Sequence, residues 1–255
     1  MRRVKAKKHL GQHFLNDYSI AEDIVSQLEY KNKTTLEIGP GMGVLTQFLT
    51  NRDTNLEVVE LDRESVFYLR LNYPKLKIIE GDFLQLDIDE LYQEPISLIG
   101  NFPYNISSQI LFKAFENRDK ITEVVGMFQK EVAERIASVK GKKKGILSVL
   151  LQAFYNIEYC FTVEPHVFTP PPKVKSGVIK LVRNDRKKLD CDEKLFIQIV
   201  KAGYNQRRKT LRNALKAFNL ESDTEIDLLL NRRAEELDVE DFIILTNNAE
   251  KGRDK

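Results

Sequence analysis

Thr34-Thr35-Leu36-Glu37-Ile38-Gly39-Pro40-Gly41-Met42-Gly43 reads as a β-strand running into a glycine turn, with residues 43–50 as the helix behind it. Leu56-Glu57-Val58-Val59-Glu60 repeats the pattern, a β-branched run followed by a helix over residues 63–72. Lys77-Ile78-Ile79-Glu80, Ile96-Ser97-Leu98-Ile99-Gly100 and Val124-Val125-Gly126-Met127-Phe128 supply three more strands, with helical spacing at residues 108–117 and 146–155. Strands that alternate with helices predict a parallel sheet covered on both faces. Residues 176–182 form a late strand, expected to pair antiparallel with residues 159–163. The fold class is α/β.

Beyond residue 184 the pattern changes. Residues 191–203, 205–218, 224–237 and 240–248 have helical spacing and no convincing strand. Two domains are expected: residues 1–184, an α/β sheet domain, and residues 185–255, a small all-α domain. At 255 residues, 42% of them hydrophobic and 31% charged, the chain can fill such cores and is too apolar for general disorder. No apolar run approaches the roughly 20 residues of a membrane span. The basic N-terminus lacks the apolar stretch of a secretory signal. Two cysteines, Cys160 and Cys191, and three histidines make a metal centre or a disulfide framework unexpected. The expectation is a cytoplasmic monomer with no membrane contact and no metal.

Net charge is only +2, but it is segregated. Arg2, Arg3, Lys5, Lys7 and Lys8 open the chain, and Lys140, Lys142, Lys143 and Lys144 form a second cluster. Residues 201–216 hold six basic residues and no acid, whereas residues 221–241 hold nine acids against Arg232 and Arg233. Such segregation implies a basic surface aimed at a polyanion. Arg208, Arg212 and Lys216 stand at i, i+4 and i+8 beside Leu211, Leu215 and Phe218, so one helix would dock its apolar stripe and present cations to phosphates. Lys142 to Lys144 and the N-terminal arm are expected to widen that footprint or to remain outside it.

Three features mark the carboxyl ends of three successive strands: the glycine turn from Gly39, then Glu60 21 positions later, then Asp82. That edge is where open α/β sheets bind ligands, and an acid there suits ribose hydroxyls. A dehydrogenase would place backbone amides and a helix start under a diphosphate. Here Pro40 removes one amide, and Glu37 adds an acid unwelcome to phosphate but suited to a cation. S-adenosylmethionine fits, with its ribose on Glu60, its adenine at Asp82 and its positive charge in an acidic site. Asn101-Phe102-Pro103-Tyr104 then closes the fourth strand. An aromatic amine is a poor nucleophile because its lone pair is delocalised. An amide oxygen and a backbone carbonyl that both accept from it would localise that pair. Proline fixes the turn that brings the Phe102 carbonyl forward, and Tyr104 offers a stacking face.

With these motifs in view, the sequence resembles the ribosomal RNA adenine dimethyltransferases, in particular the small-subunit dimethyladenosine transferases of bacteria. The resemblance covers almost the whole chain: Gly11-Gln12-His13-Phe14-Leu15-Asn16-Asp17, residues 37–43, Val59-Glu60-Leu61-Asp62, residues 100–107, Gln129-Lys130-Glu131-Val132, residues 168–176 and residues 205–213. It implies a Rossmann-like S-adenosylmethionine-dependent methyltransferase sheet with a small C-terminal all-α RNA-binding domain. It implies cofactor contacts at His13, Leu15, Gly39, Glu60, Asp82 and Asn101. Many relatives carry Asn where this chain has His13, for which a structural cap is the other role. The resemblance also places Phe168 of Phe168-Thr169-Pro170-Pro171-Pro172 beside the target base, opposite Tyr104. Catalysis is assigned to Asn101, Phe102, Pro103, Tyr104 and Phe168, and RNA binding to Arg207, Arg208, Lys209 and Arg212.

The implied activity is methyl transfer to adenine amino groups of small-subunit ribosomal RNA, or its precursor, during ribosome biogenesis. Rival readings are a large-subunit RNA methylase conferring antibiotic resistance, a non-catalytic assembly factor, and an NAD-dependent oxidoreductase. The C-terminal domain and residues 205–213 favour the small-subunit enzyme. Intact Asn101, Tyr104 and Glu60 argue for catalysis, and the loop spacing argues against the oxidoreductase.

Overall fold

The computed structural model describes residues 4–29, 31–206 and 208–253. They divide into two compact units, one running to Glu134 and resuming over Asn156–Arg183, the other made of Arg135–Tyr155 and the chain from Asn184. The strands are β1 (Phe14–Leu15), β2 (Thr34–Ile38), β3 (Asn55–Glu60), β4 (Lys77–Glu80), β5 (Ile96–Asn101), β6 (Ile121–Gln129), β7 (Tyr155–Val163), β8 (Phe168–Thr169) and β9 (Ser176–Arg183). The helices are α1 (Tyr18–Ser26), α2 (Thr46–Leu49), α3 (Arg63–Asn72), α4 (Ile88–Leu91), α5 (Ser107–Glu116), α6 (Lys130–Ala137), α7 (Ile146–Gln152), α8 (Glu193–Asn205), α9 (Leu211–Ala214), α10 (Thr224–Leu230) and α11 (Val239–Arg253).

Seven strands form one sheet in the order β4-β3-β2-β5-β6-β9-β7. Strands β2 to β6 pair in parallel, and β9 runs antiparallel to β6. The partner expected for residues 159–163 thus lies between β6 and β7. Strands β2 and β5 are buried nearly end to end, as a sheet covered on both faces requires. The chain steps outward from β2 to β3 and β4, then returns to β5 on the other side of β2. This reversal opens a crevice at the carboxyl ends of β2 and β5. A second, two-stranded pairing joins Phe14 to Thr169 and Leu15 to Phe168.

The helix expected from residue 43 begins later, at Thr46. Gly41 and Gly43 sit at φ +56° and +81°, the left-handed region that a right-handed helix excludes. Two other glycines act through their lack of bulk. Phe102 is only 1% exposed, and its ring meets Phe128 edge-on at 5.2 Å between centroids. It lies over Gly100 and Gly126, which face each other across β5 and β6. A Cβ at Gly126 would overlap that ring, and one at Gly100 would stand 2.6 Å from the Ile38 carbonyl oxygen. Gly126→Ala is therefore expected to lose about 1–3 kcal/mol of stability through overpacking. Urea unfolding checks this, and an unchanged midpoint contradicts the placement of Phe102.

In the second unit α7, α8 and α11 pack on one another. The buried faces are Val149, Leu150 and Leu151; Leu195, Phe196, Ile199 and Val200; and Phe242, Leu245 and Ala249. Residues 146–152, read as part of the first domain, belong by their packing to this unit. The expected helix over residues 205–218 is broken. Strand-like backbone at Thr210 starts α9 afresh, and the Leu211 N–H donates to the Arg232 carbonyl at 2.9 Å. In a continuous helix that N–H would serve the carbonyl four residues back. Leu211 and Leu215 are buried, and their burial sets the break. Arg208, Arg212 and Lys216 accordingly share no helical stripe. Lys144 also departs from expectation. It is fully buried, donates from Nζ to the Leu237 carbonyl at 2.8 Å, and burial lowers its pKa. It cannot reach a phosphate.

Candidate active site

A cleft opens at the carboxyl edge of the sheet. It is lined by Gly39 and Gly41 after β2, Glu60 on β3, Asp82 after β4, Asn101 on β5, and Gln12 and His13 from the N-terminal segment. Phe102, Pro103 and Tyr104 complete its wall. It encloses about 920 Å³, open mouth included.

Both oxygens of Glu60 are engaged by backbone: Oε2 accepts from the Gly41 N–H at 3.0 Å and Oε1 from the Asp62 N–H at 2.8 Å. A carboxylate oxygen has two acceptor sites, so each retains one for a ligand hydroxyl. Burial pushes the Glu60 carboxyl up, against the pull of those N–H groups. Asp82 caps a short turn, its Oδ1 accepting from the Leu84 N–H at 2.9 Å.

Glu37 lies elsewhere, buried beside a smaller cavity that Leu15, Gly39 and Asn101 also border. Thr46 Oγ1 donates to it at 2.6 Å. Burial raises its pKa to about 8, with Glu60 pushing the same way and the Thr46 bond opposing. A raised pKa favours the protonated carboxyl, against the standing negative charge inferred from sequence. An unfolded glutamate ionises near 4.5. The stability from this retained proton is complete below that value and is lost as pH rises towards about 8. Glu37→Gln should remove this decline. Unfolding midpoints of both proteins from pH about 5 to about 9 check it, and identical slopes would overturn it.

Asn101 Nδ2 donates to the His13 carbonyl at 2.8 Å. Only the nitrogen can donate to a carbonyl, so this bond fixes which way the amide points. Oδ1 remains an acceptor at the cleft wall. The Phe102 side chain belongs to the core, which leaves its carbonyl as the group available for chemistry. The Tyr104 hydroxyl lies 2.6 Å from Ser176 Oγ, and burial raises its pKa. The His13 ring stacks on Tyr104, and its Nδ1–H donates to the Pro170 carbonyl at 2.7 Å.

The family model described as ribosomal RNA adenine dimethylase matches residues 3–251. The chain belongs to this family. "Ribosomal RNA small subunit methyltransferase A" of Cytophaga hutchinsonii is 59% identical over 254 residues, 97% of this chain and 98% of that one. The protein of the same description from Flavobacterium johnsoniae is 57% identical over 255 residues, covering 98% of both chains. Two solved structures share the fold. A dimethyladenosine transferase from Plasmodium falciparum superposes with a TM-score of 0.80 at 24% identity, over 94% of this chain and 98% of its own. The 23S rRNA methyltransferase ErmE superposes at 0.73 and 21%, over 93% and 99%. The methyltransferase-type α/β fold expected from the sequence is the fold found.

For this adenine dimethylase, the structure gathers His13, Gly39, Glu60, Asp82, Asn101, Phe102, Pro103 and Tyr104 in one cleft. Leu15 and Phe168 are not among its lining residues. Both pack into the core with Ile24, Val25 and Val163, because their pairing across β1 and β8 turns them inward. Phe168 is 2% exposed, and the ring stacked on Tyr104 is that of His13. Arg208 and Lys209 are exposed. Arg212 instead pairs with Asp227 at 2.9 Å and donates to Asn231 Oδ1 at 3.3 Å. Arg207, like Arg2 and Arg3 of the N-terminal arm, lies outside the described residues. From Val4 onward that arm is held down: Lys7 pairs with the buried Asp62, and Gln12 Oε1 accepts from the Lys7 N–H at 2.8 Å. Sequence reasoning missed Gly100, Gly126 and Ser176. A glycine inside a strand otherwise rich in β-branched residues signals close approach of another group, but Ser176 carries no such mark.

Proposed function

We propose that the chain transfers methyl groups from S-adenosylmethionine to the exocyclic amine of adenines in small-subunit ribosomal RNA, giving dimethyladenine. The observation that carries this reading is the Asn101 amide, turned by its bond to His13 so that Oδ1 is left as an acceptor at the cleft wall.

The cleft's donor set fits S-adenosylmethionine. Glu60 offers a lone pair on each oxygen to ribose hydroxyls, the unused oxygen of Asp82 suits the adenine amino group, and Gly39 and Gly41 let a ligand lie close. The cofactor, when bound, supplies a methyl group on a positively charged sulfur, open to attack by a nitrogen lone pair. Asn101 Oδ1 and the Phe102 carbonyl accept from the target amine and localise its lone pair. Tyr104 stacks the base, which must leave the helical stack to reach the cleft, so a loop or junction adenine is the substrate. The proton shed as nitrogen becomes cationic passes to Asn101, the Phe102 carbonyl or water. Positioning and preorganised dipoles carry the acceleration.

Arg208 and Lys209 supply phosphate contacts, whereas Arg212 serves the second unit through Asp227. Arg208→Ala with Lys209→Ala should weaken RNA binding and reduce its salt slope by roughly 0.7–0.9 for each phosphate no longer neutralised. Arg212→Ala should leave that slope alone. An unchanged slope in the double variant would make the pair a solvated surface. The activity itself is tested with labelled S-adenosylmethionine offered to unmodified small subunits, naked small-subunit RNA and large-subunit RNA. Label in dimethyladenine of the small-subunit RNA supports the reading, and label only in large-subunit RNA overturns it.

A further inference from the structure

Tyr104 is held at two points. Its hydroxyl meets Ser176 Oγ at 2.6 Å, and its ring lies against the His13 imidazole with centroids 5.5 Å apart and planes 29° apart. Ser176 is fully buried and opens β9 opposite Gln129 of β6. The carbonyl beside it, on Lys175, accepts from the Lys130 N–H at 2.9 Å. Its backbone is therefore fixed by the sheet. The tyrosine's backbone is fixed separately, by Pro103 and by a 3.1 Å bond from Ser107 Oγ to the Tyr104 carbonyl. The bond between the two hydroxyls ties the loop after β5 to β9.

The geometry points to Ser176 as a positioning residue for methyl transfer, holding the Tyr104 ring as a fixed platform for the target base. This rests on the function proposed above. The phenol oxygen is the atom of the side chain farthest from Cα, so a bond there stops the ring swinging about χ1. The imidazole backs one face and is itself pinned, by its bond to the Pro170 carbonyl at 2.7 Å and by its backbone bond to Asn101. A base between two rings needs a contact of about 3.5–4.0 Å on each side, more than the 5.5 Å between the two rings allows. It must take the opposite face of Tyr104. A platform free to swing would scatter the amine away from Asn101 Oδ1 and the Phe102 carbonyl, and small misplacements of reacting atoms are costly.

Ser176→Ala, Tyr104→Phe and the double variant test this in the full chain, at a temperature well below all unfolding midpoints. Each single variant should slow single-turnover methylation at saturating donor roughly 3- to 10-fold, the size of one neutral hydrogen bond. Donor affinity should not change. Because both substitutions delete the same bond, the double variant should fall no further than the worse single one. A wild-type rate in Ser176→Ala, or a double loss equal to the product of the single losses, overturns the role of Ser176 while leaving the proposed activity standing. If Ser176→Ala does not fold, Tyr104→Phe deletes the same bond from the cleft side, and a wild-type rate there overturns the role. A wild-type protein that methylates no ribosomal RNA overturns both.

Discussion

Asn101→Ala is expected to methylate roughly 100- to 1,000-fold more slowly than wild type in a single turnover, the typical loss of one preorganised transition-state group. The amide stands at the carboxyl end of β5, beside the topological switch point, and its nitrogen is committed to the His13 carbonyl at 2.8 Å. Alanine removes the oxygen that would accept from the amine and one of the two bonds described for His13, whose ring backs Tyr104. The variant thus loses an acceptor and loosens the wall around it. RNA affinity, spread over many phosphates, should change little. Asn101 also borders the cofactor cleft, so rates must be compared at saturating S-adenosylmethionine. A variant within a few-fold of wild type would make Asn101 a turn residue.

The sheet was legible because its strands carry β-branched runs bounded by turn signals, and α3 and α5 were legible from their spacing. The cleft was legible for a topological reason: residues ending successive strands of a parallel sheet must meet at one edge, however far apart they lie in sequence. What could not be read depends on partners with no local signal. The pairing of β1 with β8 is two residues long, yet it turns Leu15 and Phe168 into the core and leaves His13 facing Tyr104. The run from residue 205 to 218 has good helical spacing, but the Leu211 N–H finds the Arg232 carbonyl instead, and tertiary burial overrides periodicity. Lys144 looks like its neighbours in sequence and differs in being buried and bonded to the Leu237 carbonyl. Charge counting cannot see such a partner. Glu37 was legible as an acid beneath the glycine loop, but the burial that raises its pKa was not, since it comes with the packed α2.

Glu60→Gln is expected to weaken S-adenosylmethionine binding about 10- to 100-fold, the range for loss of a hydrogen bond to a charged group. The carboxylate has a double duty. Its oxygens hold the Gly41 and Asp62 N–H groups at 3.0 and 2.8 Å, which shapes the glycine loop, and their remaining lone pairs meet the ribose hydroxyls. Glutamine has one acceptor oxygen for the two N–H groups, so the loop itself is strained in the variant. Unfolding measured without cofactor separates this damage from the missing ribose bond. The pH dependence adds a signature that loop damage does not share. Burial holds the Glu60 pKa above the ordinary glutamate range, and the protonated carboxyl presents a donor where the ribose needs an acceptor. Wild-type affinity should therefore fall as pH drops through that raised pKa, and the glutamine variant should lack this acid limb. Calorimetric titration across that range decides the matter. Equal affinities in a folded variant, or an acid limb that survives the substitution, would confine Glu60 to capping the loop.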